Sequence, residues 1–384
     1  MIPIKYNLRS LAVRKTTSIA TALGIALVVF VLASALMLSA GIKRTLATGG
    51  HANVAIVMRQ GSDNELSSGI EAANVSLVAA GPGVKRDVSA SGEVIIVLAM
   101  EKVGVDGVAN VQARGVTAAA LKLRPEVKVV EGVAPRAGAE EVMVGKRIAG
   151  RFKGVALGQT FELRKNRPVK VVGVFEADGS SSESEVWCDL DILRNAFARQ
   201  GYVSSVRVQL ESPAAFDGFK AAMESDKQYG FLALRETDYL EKQSEGTATF
   251  IGVLGTLISV FFAAGAMIGA MITMYAAVAN RQREIGTLRA LGFSRSSILG
   301  CFLLESTVLA LIGGAVGAGA ALLMQFVRFS MMNFSSWSEI VFTFQPTPSI
   351  IVVSLVFAGT MGLLGGFFPA LSAARVSAIR AMRA

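Results

Sequence analysis

The sequence is poor in the residues that build most catalytic and metal sites. Its 384 residues include one histidine, His51, and two cysteines, Cys188 and Cys301. A lone histidine does not make a multi-histidine metal site, and we interpret His51 as structural. Cys188, beside Trp187, is interpreted as a core residue. Motifs for nucleotide binding, zinc proteolysis and acyl hydrolysis are absent, since no G-x-x-x-x-G-K-[ST], H-E-x-x-H or G-x-S-x-G occurs. We therefore expect a non-catalytic chain with no metal, which does not itself hydrolyse ATP.

Charged residues are scarce, at 17% of the chain, whereas soluble domains average about 25%. Four stretches are almost free of charge: Thr16–Ile42, Gly246–Asn280, Ser296–Val327 and Ile340–Ala374. Since about 20 apolar residues in a helix cross the hydrocarbon core of a bilayer, each stretch is long enough. The pattern predicts an α-helical membrane protein with transmembrane helices at 16–42, 246–280, 296–327 and 347–374.

The net charge of +9 lies in three short segments. Residues 1–15, 281–295 and 375–384 together hold 11 basic residues and one acid, whereas 43–245 holds 26 of each sign. Basic residues near span ends stay on the cytoplasmic side, so we expect both termini in the cytoplasm, 43–245 outside it and 328–346 as an outer loop. The N-terminal segment is expected to be amphipathic. Because the large segment is electrically balanced, nucleic-acid binding loses its main support.

Residues 43–245 are long enough for a domain with its own core. Valine-rich runs with strand spacing alternate with helical patterns, which predicts an α+β domain with two subdomains, one of them β-rich and inserted at about 115–200. The predicted strands are Asn53–Met58, Glu93–Ala99, Val108–Arg114, Val127–Val130, Glu141–Val144, Thr160–Leu163, Val169–Phe175 and Val203–Leu210. The predicted helices are Glu65–Ala80, Lys146–Phe152 and Ala214–Asp226, and the last forms a β-α-β unit with Val203–Leu210 and Phe231–Leu234. Lys165–Pro168 is expected to turn a hairpin.

Two features of the spans point to function. Glu305 is the one ionisable residue within them, and an intramembrane acid is a functional candidate: it is expected to pair with a loop arginine, with a proton or substrate path as the alternative. Small-residue faces for helix packing, within one subunit or between subunits, occur at Gly265 and Gly269, Gly313 and Gly317, and Gly362 and Gly366. Four spans are few for a transporter, so we expect a dimer.

The loop at 281–295 has helical spacing. Ile285, Leu288 and Leu291 fall along one side, Gly292 is suited to end the helix, and Ser294 to cap the next one. The loop is either a positive connector lying on anionic headgroups or a short amphipathic helix that docks into a cytosolic partner.

A resemblance to a known family favours docking. Arg283–Gly292 reads R-E-I-G-T-L-R-A-L-G and is followed by Glu305 and the glycine-rich Gly313–Gly317. This pattern, with Phe368–Ala381 at the end of the chain, resembles the permease family typified by MacB, FtsX and the LolC/LolE pair. Ala378 and Met382 depart from its closing signature. Gly132–Leu193 also resembles the MacB-type periplasmic core domain.

The resemblance implies a type VII ABC permease subunit of the inner membrane, whose ATPase is a separate polypeptide carrying ATP and magnesium, with no cofactor on this chain. It implies mechanotransmission: the permease passes the ATP-driven change to its extracytoplasmic domain and drives efflux or extraction of a substrate. The alternative is an FtsX-like signal transmitter that activates an extracytoplasmic hydrolase without transport. Implied partners are the ATPase, a second permease copy or paralogue, a membrane-fusion adaptor and an outer-membrane duct. The residues implied to couple to the ATPase are Arg281, Arg283, Glu284, Ile285, Gly286, Leu288, Arg289, Leu291, Gly292 and Phe293.

Overall fold

The structure is a computed structural model that describes residues 15–88, 90–333 and 335–376. The expected amphipathic segment at 1–15 and the tail at 375–384 lie almost entirely outside the described residues.

The helices differ greatly in length, from five residues to 45. In chain order they are α1 (Lys15–Ala47), α2 (Val75–Ala79), α3 (Ala119–Leu123), α4 (Leu190–Ala196), α5 (Phe216–Ser225), α6 (Glu236–Asn280), α7 (Gln282–Ala290), α8 (Arg295–Leu322) and α9 (Pro348–Ala374). Short 3₁₀ turns occupy Ala72–Asn74, Ser181–Ser184, Pro213–Ala215 and Leu323–Phe326.

The strands are short and rich in valine. They are β1 (Val54–Arg59), β2 (Ile70–Glu71), β3 (Ser91–Glu101), β4 (Val108–Val116), β5 (Lys128–Gly132), β6 (Glu141–Gly145), β7 (Thr160–Arg164), β8 (Arg167–Glu176), β9 (Glu185–Asp189), β10 (Tyr202–Val203), β11 (Ser205–Gln209), β12 (Phe231–Arg235), β13 (Arg328–Asn333) and β14 (Ser338–Thr343).

In the described part of the chain, four helices are long and apolar enough to cross a membrane. They occupy Ser18–Ala47, Glu236–Asn280, Arg295–Phe326 and Pro348–Ala374, which confirms the expected four apolar helices. The second begins ten residues before the uncharged stretch, because the charged turns at 236–245 continue the same helix. Thr347 caps the fourth by accepting a hydrogen bond from the Ile350 amide, and Pro348 occupies its first turn, where no amide is needed.

The chain divides into two compact units. The first, which we call the helical unit, contains residues up to Gly41, Ala248–Val327 and the residues from Thr343 on. The second, the α/β domain, contains Ile42–Thr247 and Arg328–Phe342. The segment expected as an outer loop at 328–346 therefore forms the β13–β14 hairpin, most of which belongs to the α/β domain.

The α/β domain is built on a mixed sheet. Within the described residues its ten strands run in the order β12-β1-β11-β3-β4-β9-β6-β8-β5, with β7 paired to β8. Most neighbours are antiparallel, but β4 pairs in parallel with β9 and β6 with β8. The segment expected as an inserted subdomain shares this sheet through the β4–β9 pairing. The expectation of a domain that mixes helices and strands is therefore confirmed.

The expected β-α-β unit is present, with one strand between its halves. β11 and β12 both pair with β1 in the antiparallel sense, so they are parallel to each other and α5 connects them. The expected hairpin is present too: β7 and β8 are joined at Lys165 and Asn166, and Asn166 adopts a φ of 63°. Arg167 and Pro168 already belong to β8.

Two expected helices are wrong. Within Glu65–Ala80 only the last residues form α2, because serine and asparagine side chains compete for the backbone before it: Asn64 accepts from the Ser67 amide and Ser68 from the Arg59 amide. Lys146–Phe152 forms turns that end at Gly150, which takes the left-handed φ of 72°.

One face of the sheet packs into the main apolar core. Alternate residues of the central strands supply it, among them Val57, Val94, Val111 and Val206. Cys188 lies in this core, as expected, and burial followed by the charge of Asp189 raises the pKa of its thiol to about 12. A second core surrounds Trp187 and Phe175, whose ring centroids are 5.1 Å apart. Strand β9, which carries Trp187, was missed from the sequence because Glu185 and Asp189, at its two ends, are weak strand formers.

Candidate functional site: the helical loop and the buried ion network

The loop between the second and third long helices is itself helical. α7 spans Gln282–Ala290 and ends where Gly292 adopts a φ of 91°. Ser294 then caps α8 by accepting a hydrogen bond from the Ser297 amide at 3.2 Å. Both boundaries were expected, because glycine tolerates the left-handed conformation and a serine oxygen satisfies a free amide at a helix start.

The ten loop residues of the predicted coupling set divide by burial. Ile285 and Gly286 are buried, and Ile285 packs with Val278, Ile298 and Phe302 in a small core of the helical unit. Leu288, Arg289 and Phe293 are partly buried, whereas Arg283, Glu284, Leu291 and Gly292 are exposed. Leu291 is an apolar side chain that is 72% exposed. The buried members hold α7 in place, and the exposed members present a surface.

Arg281 faces inward and meets Glu305 of α8. Its Nη1 donates to Oε2 of Glu305 at 3.0 Å, and its Nε donates to Oε2 of Glu284 at 2.8 Å. The guanidinium also lies 5.3 Å from the ring centroid of Phe302. The expected pairing of Glu305 with a loop arginine is therefore present. It places Arg281 in the support of α7, not on its exposed surface.

Glu305 also borders a small cavity in the helical unit. The cavity measures about 60 Å³, and its polar lining includes Thr21, Thr273 and Ser306. The hydroxyls of Thr21 and Thr273 are 3.0 Å apart.

A second charged site, in the α/β domain, was missed from the sequence. The sheet face opposite the main core carries Glu93 on β3, Arg114 on β4, Glu185 on β9 and Arg207 on β11. All are at most 5% exposed, and the four strands are consecutive in the sheet, in the order β11-β3-β4-β9. We call these residues, with Glu65, Arg124 and Glu236, the ion network.

Ion pairs join the members of the ion network in a chain. Arg114 donates Nε to Glu185 at 2.7 Å and Nη1 to Glu93 at 2.8 Å. Arg124 donates Nη1 to Glu93 at 2.7 Å. Arg207 donates Nη1 to Glu65 at 2.8 Å and Nε to Glu236 at 2.9 Å. The network thus connects four strands, the two loops that carry Glu65 and Arg124, and the first residue of α6.

The arginines keep the network charged at neutral pH. Burial by itself raises the pKa of Glu93, but the positive charges of Arg124, Arg207 and Arg114 outweigh it and lower the pKa to about 2. Glu65 shows the same balance, with burial opposed by Arg114 and Arg207, and its pKa is strongly lowered. Burial alone lowers the pKa of Arg207, yet the carboxylates of Glu65 and Glu93 raise it above its ordinary value.

One sequence signal marked these residues. Glu93, Arg114 and Arg207 each lie inside a strand between apolar or glycine neighbours, as in Val206-Arg207-Val208, so alternation places them on the face opposite the core. A charged residue repeated at that position on several strands predicts a polar face, although it does not predict the partners. Among the described residues, no group of histidine, cysteine, aspartate and glutamate is arranged to hold a metal ion.

Comparison with protein families decides the classification. Residues 16–226, more than half of the chain, match the MacB-like periplasmic core domain, and residues 256–378 match the FtsX-like permease C-terminal region. The chain belongs to the MacB/FtsX-like family of ABC permeases. With its four apolar helices and its periplasmic-type domain, this permease is an inner-membrane protein with an extracytoplasmic domain.

Curated relatives of the permease are named for macrolide export. The chain is 29% identical over 230 residues to the macrolide export ATP-binding/permease protein MacB of Escherichia coli K12 and to that of Shigella flexneri. The match covers 56% of this chain and 34% of each relative, so the permease chain spans about a third of their length.

Two solved structures are also similar. The periplasmic region of MacB from Actinobacillus actinomycetemcomitans has a TM-score of 0.39 and 13% identity, covering 52% of this chain and 95% of that one. The extracellular domain of the noncanonic ABC-type transporter YknZ from Gram-positive bacteria has a TM-score of 0.36 and 16% identity, covering 47% of this chain and all of that one.

The small-residue faces of the permease serve different contacts. A methyl group at Gly313 or Gly317 would collide with the backbone of α1 at Ala22 or Ala26. One at Gly362 would meet Ala310 and Thr307, and one at Gly366 would collide with Ser306. These two glycine pairs therefore pack helices within one subunit. Gly265 and Gly269 on α6 have no other atom of the described chain within 4 Å of an added Cβ.

Proposed function

We propose that this permease transmits an ATP-driven conformational change to its α/β domain and thereby drives export or extraction of a substrate. ATP and magnesium bind a cytoplasmic ABC ATPase that is a separate polypeptide, and this chain supplies no catalytic group and binds no cofactor. Activation of an extracytoplasmic hydrolase without transport is the alternative use of the same transmission.

The observation that carries the proposal is the length and placement of α6. This helix of 45 residues is about 68 Å long at 1.5 Å per residue, whereas the hydrocarbon core is about 30 Å thick. Its first residue, Glu236, belongs to the buried ion network of the α/β domain. Its last residue, Asn280, adjoins Arg281, which supports α7. A single helix with such ends is suited to carry displacement from one side of a membrane to the other.

The exposed residues of α7 and its end provide the docking surface for the ATPase. Leu291 supplies an apolar contact, Arg283 and Glu284 supply charges, and Gly292 allows close approach of a partner. The buried Ile285 and the Arg281–Glu305 ion pair fix the surface to α8, so a push on α7 moves the helical unit with it. We assign Glu305 this coupling role in preference to a proton path.

The proposal also covers the orientation of the chain in the membrane and its other partners. Both termini and α7 are proposed to lie in the cytoplasm, and the basic residues near the span ends support this orientation. A second copy or a paralogue pairs with the open Gly265 and Gly269 face of α6, where the absence of side chains permits close packing. A membrane-fusion adaptor and an outer-membrane duct are the partners proposed for the α/β domain.

The docking surface is tested by substitution of Leu291. The full chain is purified in detergent from its own cells, bound ABC ATPase is identified by mass spectrometry, and ATP hydrolysis is measured. Leu291→Asp should remove the ATPase and its stimulation, because a charge enters an apolar contact. Val105→Asp is the matched control, since Val105 is 67% exposed but lies in the α/β domain, and it should retain the ATPase.

Retained binding and unchanged stimulation in Leu291→Asp would overturn the docking assignment. A second measurement separates the two uses of transmission. ATP-dependent movement of a labelled macrolide in proteoliposomes supports transport. ATP-dependent release of muropeptides from added peptidoglycan by a co-purified extracytoplasmic hydrolase, with no such movement, supports hydrolase activation.

A further inference from the structure

The first residue of α6 is held by two partners, a guanidinium and a backbone amide. Glu236 is 2% exposed, and its Oε1 accepts from Nε of Arg207 at 2.9 Å while its Oε2 accepts from the His51 amide at 3.3 Å. A carboxylate in the first turn is also stabilised by the helix dipole. The segment that follows α1 and the first turn of α6 therefore meet at one carboxylate.

Tyr239, one turn further along α6, makes a second connection to the same network. Its hydroxyl accepts from the Glu65 amide at 3.2 Å, and its ring packs against Ile56 and Met58 of β1. Since the Glu65 carboxylate binds Arg207, the first turn of α6 contacts the sheet through both an ion pair and an apolar contact.

Of these contacts, the ion pair between Glu236 and Arg207 is the one that transmits displacement of α6 to the sheet. Arg207 cannot follow Glu236 alone, because its Nη1 is bound to Glu65 and Glu93, at 2.8 Å and 2.5 Å. Glu93 in turn binds Arg114 and Arg124. Removal of one partner from such a buried group leaves a charge uncompensated, which is strongly unfavourable in a buried position. A displaced Glu236 therefore draws the network with it, whereas an apolar contact would let the helix slide.

We infer that Glu236 is the positioning residue through which displacement of α6 reaches the central strands of the α/β domain. This inference rests on the proposed transmission function and assigns one residue within it. Glu236→Gln keeps the size and a hydrogen-bond acceptor but removes the charge, and Glu236→Asp keeps the charge on a shorter side chain. Glu241→Gln is the matched control, because Glu241 is an exposed acid on the same helix.

The first measurement uses the full chain alone in lipid nanodiscs. Deuterium uptake should rise in Glu236→Gln both in residues 236–243 and in strands β11 and β3, and remain at the wild-type level in Glu241→Gln. Uptake that rises in residues 236–243 only, or nowhere, would overturn the inference, whatever the ATPase does.

The second measurement adds the co-purified ABC ATPase and ATP. In the wild type, ATP should change deuterium uptake in β11 and β3. Glu236→Gln should keep ATPase binding and the ATP-dependent change in residues 281–293 but lose the change in both strands, and Glu236→Asp should restore part of it. A purely structural role would lower the thermal midpoint and leave this change intact, which would also overturn the inference. If the wild type shows no ATP-dependent change while the first measurement succeeds, the proposed function fails and the ionic connection stands.

Discussion

Arg281 and Glu305 form a buried ion pair that joins the start of the loop helix to α8. Their Nη1 and Oε2 atoms are 3.0 Å apart, and the side chains are 7% and 12% exposed. Arg281 also binds Glu284 on α7, so one guanidinium connects two helices. The geometry gives the acid in the apolar part of α8 a structural role: it fixes the helix that carries the proposed docking surface.

Loss of both charges should weaken the permease by less than the sum of the two single losses. Glu305→Gln or Arg281→Gln leaves the other charge of the pair in a partly buried position, at a cost of up to about 3–5 kcal/mol, whereas the double variant removes both charges. Thermal unfolding of the full chain in detergent should therefore show a double-variant midpoint above the additive expectation. Arg295→Gln, at an exposed arginine, is the control and should unfold like the wild type. Strictly additive midpoints would argue against the pair.

Glycine substitutions should separate contacts within a subunit from open surface. Gly317→Leu should destabilise the subunit, by about 1–3 kcal/mol or more, because its side chain meets the backbone of Ala26. Gly265→Leu should leave the fold intact, since nothing in the described chain approaches that position. The stability of both variants is measured by size-exclusion chromatography in detergent after thermal challenge. The pairing proposal further requires that Gly265→Leu shift the permease from dimer to monomer, and a dimer that persists would contradict it.

Acid should destabilise the α/β domain through Glu93. Because arginines hold its folded pKa at about 2, below the ordinary 4.5, its stabilising contribution is complete above pH 4.5 and is lost as the pH falls towards 2. Denaturant unfolding of the full chain is followed by the emission of buried Trp187, with Trp337→Phe as the background. Glu93→Gln should be less stable at pH 7 and show a flatter dependence below pH 4.5. Glu131→Gln, at an exposed position, should match the wild type, and equal pH slopes in all three would refute this account.

The β13–β14 hairpin should loosen when Glu339 loses its charge. Glu339 binds Nζ of Lys102 at 2.6 Å and Nη2 of Arg151 at 3.1 Å. Burial raises its pKa, but the bonds from Lys102 and Ser330 outweigh this and leave it lowered. Glu339→Gln should increase deuterium uptake in residues 338–343 and speed tryptic cleavage after Arg328. Glu211→Gln, at an exposed acid of the same domain, should change neither, and an unaffected hairpin in Glu339→Gln would show that the ion pairs do not hold it.

Local features of the chain were predictable where the physical cause is itself local. The four apolar helices follow from composition, because a helix satisfies its own backbone in an apolar environment and needs no partner to do so. The boundaries at Gly292 and Ser294 follow from the conformational freedom of one residue and the side-chain oxygen of the other. Failure was local as well: Glu65–Ala80 has helical spacing, but Ser67 and Ser68 bind nearby groups and interrupt it.

By itself the sequence determined the four long apolar helices, their order, the balance of charge and the family resemblance, since each can be read from local stretches of the chain. Only the tertiary structure decided which charges meet. Arg207 and Glu65 are separated by 142 positions, and Arg114 and Glu185 by 71, so no periodicity relates them. The parallel β4–β9 pairing brings Glu185 to Arg114. Strand β12, which pairs with β1 in the antiparallel sense, ends at Arg235, so Glu236 at the start of α6 follows directly from the sheet. Strand alternation placed the charged residues on one face of the sheet, and the order of the strands determined which of them are close enough to pair.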